Sequence, residues 1–142
     1  MTDKVGLIEY FLKTFREYLD FNPDYILDYL SFVGPNRVEF FYDNEKIYDR
    51  KIIKISVTEN NGTIEMCITF YYTAYENEAI LAYKRDADDF GKGANFELNY
   101  FPVLILSSCI YEDSPEDVMS EINNLKQVFD EKIDMVDCNI GL

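Results

Sequence analysis

The side chains able to do chemistry in this sequence are mostly carboxylates: 27 Asp and Glu stand against 13 Lys and Arg, with three Cys and no His. Without histidine, neither a Ser-His-Asp nor a Cys-His nucleophile can be assembled, and no imidazole is present to ligate zinc. Three cysteines are too few for a four-thiolate metal site. Paired carboxylates remain as the one hydrolytic option, and Glu65, Glu97 and Asp113 are acids that could converge. Such chemistry needs two groups roughly 5 to 9.5 Å apart around a pocket. Among so many acids, no spacing singles out a pair.

Other motifs are weaker. Asp86, Asp88, Gly91 and Glu97 occupy positions of a calcium loop, but Phe90 stands where another oxygen ligand is needed and the segment that follows reads as strand. Gly91-Lys92-Gly93 lacks the spacing and the hydroxyl of a phosphate loop. The expectation is therefore no cofactor and no metal. Cys67, Cys109 and Cys138 are odd in number and far apart, which predicts free thiols in a reducing cytoplasm. Asn61-Gly62-Thr63 reads as a turn, not a glycosylation acceptor. The amino end shows no signal-peptide core. The most apolar run, Tyr100 to Ile110, is far shorter than the roughly 20 residues of a membrane-spanning helix.

A formal charge of -14 at pH 7 repels phosphate backbones and anionic bilayers, so neither nucleic acid nor membrane is expected as a direct partner. The Lys46 to Lys54 stretch, the most basic in the chain, also holds Asp49 and lies beside Glu45, and reads as a strand with solvated edges. The same field accelerates encounter with a basic protein. Glu112, Asp113, Glu116, Asp117 and Glu121 form the densest acidic strip. Asp117 and Glu121 are four apart on one helix face, where like charges repel unless a partner's cation intervenes. Tyrosines beside acids suit an interface, because each ring buries area with little loss of rotamer freedom. Tyr71, Tyr75 and Tyr111 join the strip as expected partner-binding residues; Tyr42, Tyr48 and Tyr83 belong to the same exposed population.

The elements that must position these groups are legible from periodicity. Val5, Ile8, Leu12, Phe15 and Leu19 recur every three or four residues and predict one helix from Asp3 to Asp20. Asn22-Pro23-Asp24 opens a short second helix to Leu30. Gly34-Pro35-Asn36 is a break before a strand from Arg37 to Tyr42, with Asp43-Asn44 turning into a strand from Lys46 to Val57. Asn60-Asn61-Gly62 then divides Ile53, Ile55 and Val57 from Ile64, Met66, Ile68, Phe70 and Tyr72, a strong hairpin signal. Residues 74–85 fit a helix or a strand. Residues 86–95 read as loop, and Phe96 to Tyr111 as two short strands separated near Pro102. Ser114-Pro115-Glu116-Asp117 caps a helix whose apolar face is Val118, Ile122, Leu125, Phe129 and Ile133.

With 48% hydrophobic residues, 12 Tyr and 11 Phe, the chain has the means to form a packed core. The expected fold is one α+β domain over residues 1–142, an antiparallel sheet of four to six strands covered mainly on one face by the N- and C-terminal helices. In size, charge and composition the chain resembles small bacterial immunity proteins. The resemblance implies a noncatalytic inhibitor, monomeric or dimeric, that covers a basic nuclease toxin. An assembly subunit and a small carboxylate hydrolase are the alternatives. No residue is carried over from the resemblance.

Overall fold

The computed structural model describes residues 3–19, 21–45, 49–74, 80–84, 95–99 and 103–140; for residues 45, 49–50, 72–74, 80–84, 95–99, 103–105 and 133–140 it describes the backbone alone. Helix α1 (Lys4–Thr14) is capped by Asp3, whose carboxylate accepts from the Gly6 N–H at 2.8 Å. The single helix expected to Asp20 is divided: Phe15 leaves helical geometry at φ -97° and ψ 19°, and α2 (Arg16–Leu19) follows. Just before the break, the Thr14 hydroxyl donates back to the Tyr10 carbonyl at 2.7 Å, a contact that bends helices. The Phe15 N–H still bonds the Phe11 carbonyl, so the apolar stripe stays in phase and Ile8, Phe11, Leu12, Phe15 and Leu19 are all buried.

A 3-10 helix, η1 (Pro23–Tyr29), leads straight into β1 (Leu30–Val33), a strand that the turn signals do not predict. The hairpin to β2 (Arg37–Glu45) turns at Gly34, whose φ of +71° suits glycine. Asp43 and Asn44, expected to turn, instead continue β2, paired with Ile52 and Lys51 of β3 (Asp49–Asn60). Asn61 and Gly62, at φ 51° and 84°, make the two-residue turn into β4 (Thr63–Ala74). Then come β5 (Ile80–Lys84), β6 (Asn95–Asn99), β7 (Val103–Glu112) and α3 (Pro115–Ile140). Residues 80–84 are thus strand. Pro102 and the loop acids Asp86 and Asp88 lie outside the described residues.

The sheet order is β1-β2-β3-β4-β7-β5-β6. From β1 to β7 in that order every neighbour is antiparallel, giving five strands within the expected range; β5 adds on parallel to β7 and carries β6, for seven strands among the described residues. One face is the core: Val38 and Phe40, then Ile53, Ile55 and Val57, then Ile64, Met66, Ile68 and Phe70, then Leu106 and Ile110, all buried under α1 and α3. From α3, Val118, Ile122, Leu125 and Phe129 enter this core, each side chain contributing about 1.5–3 kcal/mol of transfer free energy. The Ser114 hydroxyl accepts from the Asp117 N–H at 3.2 Å, the cap its sequence announces. No described helix is long and apolar enough to cross a membrane.

Candidate protein-binding surface

The surface begins with a local backbone choice. Asn22 caps η1, its side-chain oxygen accepting from the Asp24 N–H at 3.0 Å, and Pro23 supplies the first helical φ. With three residues per turn, Pro23, Ile26 and Tyr29 fall on one row. Ile26 is buried, while the Tyr29 ring meets Phe21, Phe40 and Tyr42 at 5.6, 6.1 and 5.1 Å between centroids. Tyr42 is therefore half-buried beside the core, not one of the outward tyrosines expected from sequence. The intervening residues of η1 face solvent. Asp24, Tyr25, Leu27 and Asp28 are all exposed, Leu27 by 72%.

The run continues into β1, where Phe32 is 69% exposed and Val33 is also open. Five of the six large apolar side chains exposed among the described residues, Tyr25, Leu27, Tyr29, Phe32 and Val33, fall within residues 25–33; the sixth, Phe41, is on the adjacent strand. They do not all share one face: on η1, Tyr25 and Leu27 stand exposed with Asp24 and Asp28 interleaved, whereas along β1 Phe32 takes the side of Val38 and Val33 the opposite side with Arg37. Neither aspartate has an ion pair among the described residues.

Register shows what the strand edge offers. The Glu59 N–H bonds the Asn36 carbonyl at 3.0 Å, which makes that position a hydrogen-bonded pair between β2 and β3. Antiparallel pairing alternates, so Val38 bonds toward β3, while Arg37 and Glu39 bond toward Val33 and Ser31 of β1. Phe32, opposite Val38, is then a non-hydrogen-bonded pair, and its N–H and C=O point away from the sheet. Its side chain shares a face with Val38 and borders a groove of about 230 Å3 with Asp3, Lys4, Val5 and Pro35.

The expected site residues divide between surfaces. Asp113, Glu116 and Asp117 are exposed at the start of α3, with Glu121 half-buried one turn on. Tyr71 and Tyr111 lie on the sheet face that no described element covers; Tyr111 is paired in register with Glu65, six residues along β4 from Tyr71. At about 3.3 Å per residue the two tyrosines are about 20 Å apart, so they do not form one patch. Tyr75 lies outside the described residues. Glu112 closes β7 opposite Ile64.

The carboxylate trio does not converge either. Glu97 is level with Ala82, Ile105 and Tyr71 across three strands, while Glu65 is six residues along. That places their backbones about 24 Å apart. The open face does hold a shallow depression of about 420 Å3, bordered by Arg37, Glu39, Phe41, Lys54, Ser56, Cys67 and Thr69. Its two cations are already engaged. Arg37 bonds Glu39 at 2.8 Å, and the Lys54 ammonium lies 5.5 Å from the Phe41 ring centre.

Cys67 and Cys109 on this face are joined in a disulfide, which overturns the expectation of free thiols and removes the argument for a reducing compartment that rested on it. The cause is register: β4 and β7 place the two residues directly opposite each other, a neighbourhood invisible in a separation of 42 residues.

Among the described residues, the ionisable groups with a shifted pKa, Lys126 and Asp130, belong to a contact between helices. Lys126 of α3 donates to Asp130 at 2.7 Å and to Glu17 of α2, and the Tyr18 hydroxyl donates to Asp130. Partial burial pulls the Lys126 ammonium down, but the hydrogen bonds and charges of Asp130 and Glu17 raise it above the usual 10.5. Partial burial likewise pushes Asp130 up, yet the hydrogen bonds from Lys126 and Tyr18 hold it below the usual 3.8. The cluster fastens α2 to α3.

Sequence reasoning missed the η1–β1 surface because it read Asn22-Pro23-Asp24 as an ordinary helix start. The signal was present in Ser31-Phe32-Val33, a short β-prone run ending at Gly34-Pro35. No protein-family model, no curated protein and no solved structure matches this chain.

Proposed function

We propose that the protein is a noncatalytic binding module for a basic protein partner, and that inhibition of a nuclease toxin, in the manner of an immunity protein, is the role it fits best. The observation that supports this most directly is the run of exposed Tyr25, Leu27, Tyr29, Phe32 and Val33 with Asp24 and Asp28 among them. Apolar and aromatic groups supply the buried centre of an interface, and the acids select the partner's sign.

The acidic strip of α3 extends the same reading. Asn36 bonds Asn60 at 2.7 Å and Thr63 bonds Asp113 at 3.4 Å, so the β1–β2 turn and the start of α3 stand at one end of the sheet. Four strand spacings separate β1 from β7, about 19 Å, and η1, whose Tyr29 packs on Tyr42 five residues along β2 from Arg37, lies about 17 Å further along the strands, so about 25 Å from the start of α3. A standard interface covers about 800 Å2 on each partner, a patch wide enough to reach both. A cytoplasmic setting belongs to the same proposal; the Cys67–Cys109 bridge lends it no support.

Affinity capture from the native cell, at low and at high salt, tests the reading beside a Tyr25→Ser, Leu27→Ser double variant of unchanged circular dichroism. A basic protein is expected, with recovery falling as salt screens the carboxylates and falling again in the variant. Capture indifferent to salt, or recovery of the chain's own copies alone, moves the assignment to an assembly subunit.

A further inference from the structure

We propose that the free edge of β1 receives an extended segment of the partner as an added strand, bonded to the backbone of Phe32 and carrying Lys or Arg toward the acids of η1; this rests on the reading above, that the partner is basic.

Three observations meet there. First, β1 ends the sheet, with β2 as its one described neighbour. Second, register turns the Phe32 N–H and C=O outward, an open donor and acceptor of the kind that strand addition uses. Third, the ring of Phe32 stands exposed over a groove bordered by Val5, Pro35 and Val38 and by Asp3, Lys4 and Arg37, so a side chain of the incoming strand on that face finds an apolar wall. The groove's cations are held by Glu59 and Glu39, and the preference for a basic segment comes from Asp24 and Asp28 of η1, which have no ion pair among the described residues. Natural edges are commonly protected by charge, proline or a covering loop. This one is kept short, at four residues before Gly34-Pro35, but within that length it presents Phe32 and Val33 without a charge. Two backbone hydrogen bonds give little net affinity, so burial of Leu27 and Phe32 and neutralisation of Asp24 and Asp28 supply the remainder.

The charge also selects the occupant. A second copy would bring its own formal -14, with the same Asp24 and Asp28, against this edge. A basic segment neutralises them. An alternation of apolar and cationic residues matches the period-two geometry of a strand laid along β1.

The probe is a blocked hexapeptide of alternating Lys and Val, titrated into the isotope-labelled full chain and read by amide NMR, with a Glu-for-Lys twin as control. Saturable shifts at the Phe32 amide, with slower hydrogen exchange there, are expected for the Lys peptide and absent for its twin. Phe32→Pro removes the ring together with the outward N–H, whose loss an edge strand tolerates, and abolishes the response at β1. Phe32→Thr, which keeps that N–H, weakens the response without abolishing it. Equal responses in Phe32→Pro and Phe32→Thr, both with native spectra, overturn strand addition and leave the basic-partner reading intact. Shifts confined to η1 or α3 do the same. Equal binding of the Lys and Glu peptides at Phe32 overturns the basic-partner reading while leaving the edge as a docking site. Phe32 protection that grows with protein concentration, without peptide, identifies a second copy as the occupant and overturns the proposal.

Discussion

Cys67 in β4 faces Cys109 in β7 across one rung of the sheet, Cα to Cα 4.1 Å, and the two sulfurs are bonded. The bridge joins the strand that ends the long antiparallel meander to the one that completes the core. Because 42 residues separate the cysteines, loop-closure entropy alone gives the bond about 4 kcal/mol. Urea unfolding with and without reductant is expected to differ by about 2–4 kcal/mol, and the Cys67→Ala, Cys109→Ala variant to match the reduced protein. Identical curves would show that the cross-link does not constrain the chain.

The cluster of Glu17, Tyr18, Lys126 and Asp130 makes the contact between α2 and α3 sensitive to pH at both extremes. Asp130 is held below 3.8, so its contribution is present above that value and is lost as pH falls through the lowered one. Lys126 is held above 10.5, so its contribution is present below that value and is lost as pH rises through the raised one. Between the two, this pair adds no slope. Asp130 is 39% exposed and solvent screening discounts the pair, so Asp130→Asn is expected to cost about 1 kcal/mol at neutral pH and to flatten the acid limb of a stability-against-pH curve.

Gly62→Ala tests the turn between β3 and β4. Nothing lies within 4 Å of the added methyl, so the cost comes from φ at +84° and not from crowding. A loss of about 1–2 kcal/mol in unfolding free energy is expected. The same substitution at an exposed, extended glycine would cost less.

Ser108 is 1% exposed on the core face of β7, and its hydroxyl has no hydrogen-bond partner among the described residues. Removing it takes away a desolvated polar group. Ser108→Ala is expected to raise the unfolding free energy by about 1 kcal/mol in a denaturant titration. A loss of that size would instead reveal a partner for the hydroxyl.

The parts of the fold read correctly from sequence are those where local chemistry and tertiary packing agree. Alternation of Ile64, Met66, Ile68 and Phe70 gave the core face of β4, and Ser114-Pro115 gave the start of α3, because both signals are contained in a few neighbouring residues. Phe15 illustrates the opposite case: its periodicity was right, yet the helix bends there without losing the stripe. The proposed binding surface was hardest to read. Acidic spacing drew attention to Glu116 and Asp117, whereas the exposure of Tyr25 and Leu27 depends on which residues a 3-10 turn leaves outside, that of Phe32 and Val33 on β1 being an edge strand, and Cys67–Cys109 on register.

The placement of β7 between β4 and β5 governs the order of assembly. Strands β1 to β4 pair with their sequence neighbours and can zip quickly, but β7 joins β4 only after the intervening β5–β6 segment has been passed. Until then β4 is a long bare edge with Ile64, Met66, Ile68 and Phe70 on one side and a reactive thiol, Cys67, on the other. Closure is thus expected to be the slow event, in competition with intermolecular sticking and thiol exchange. Refolding yield, read as recovered native signal against protein concentration, is expected to fall as the chain is concentrated and to fall less in Cys67→Ala.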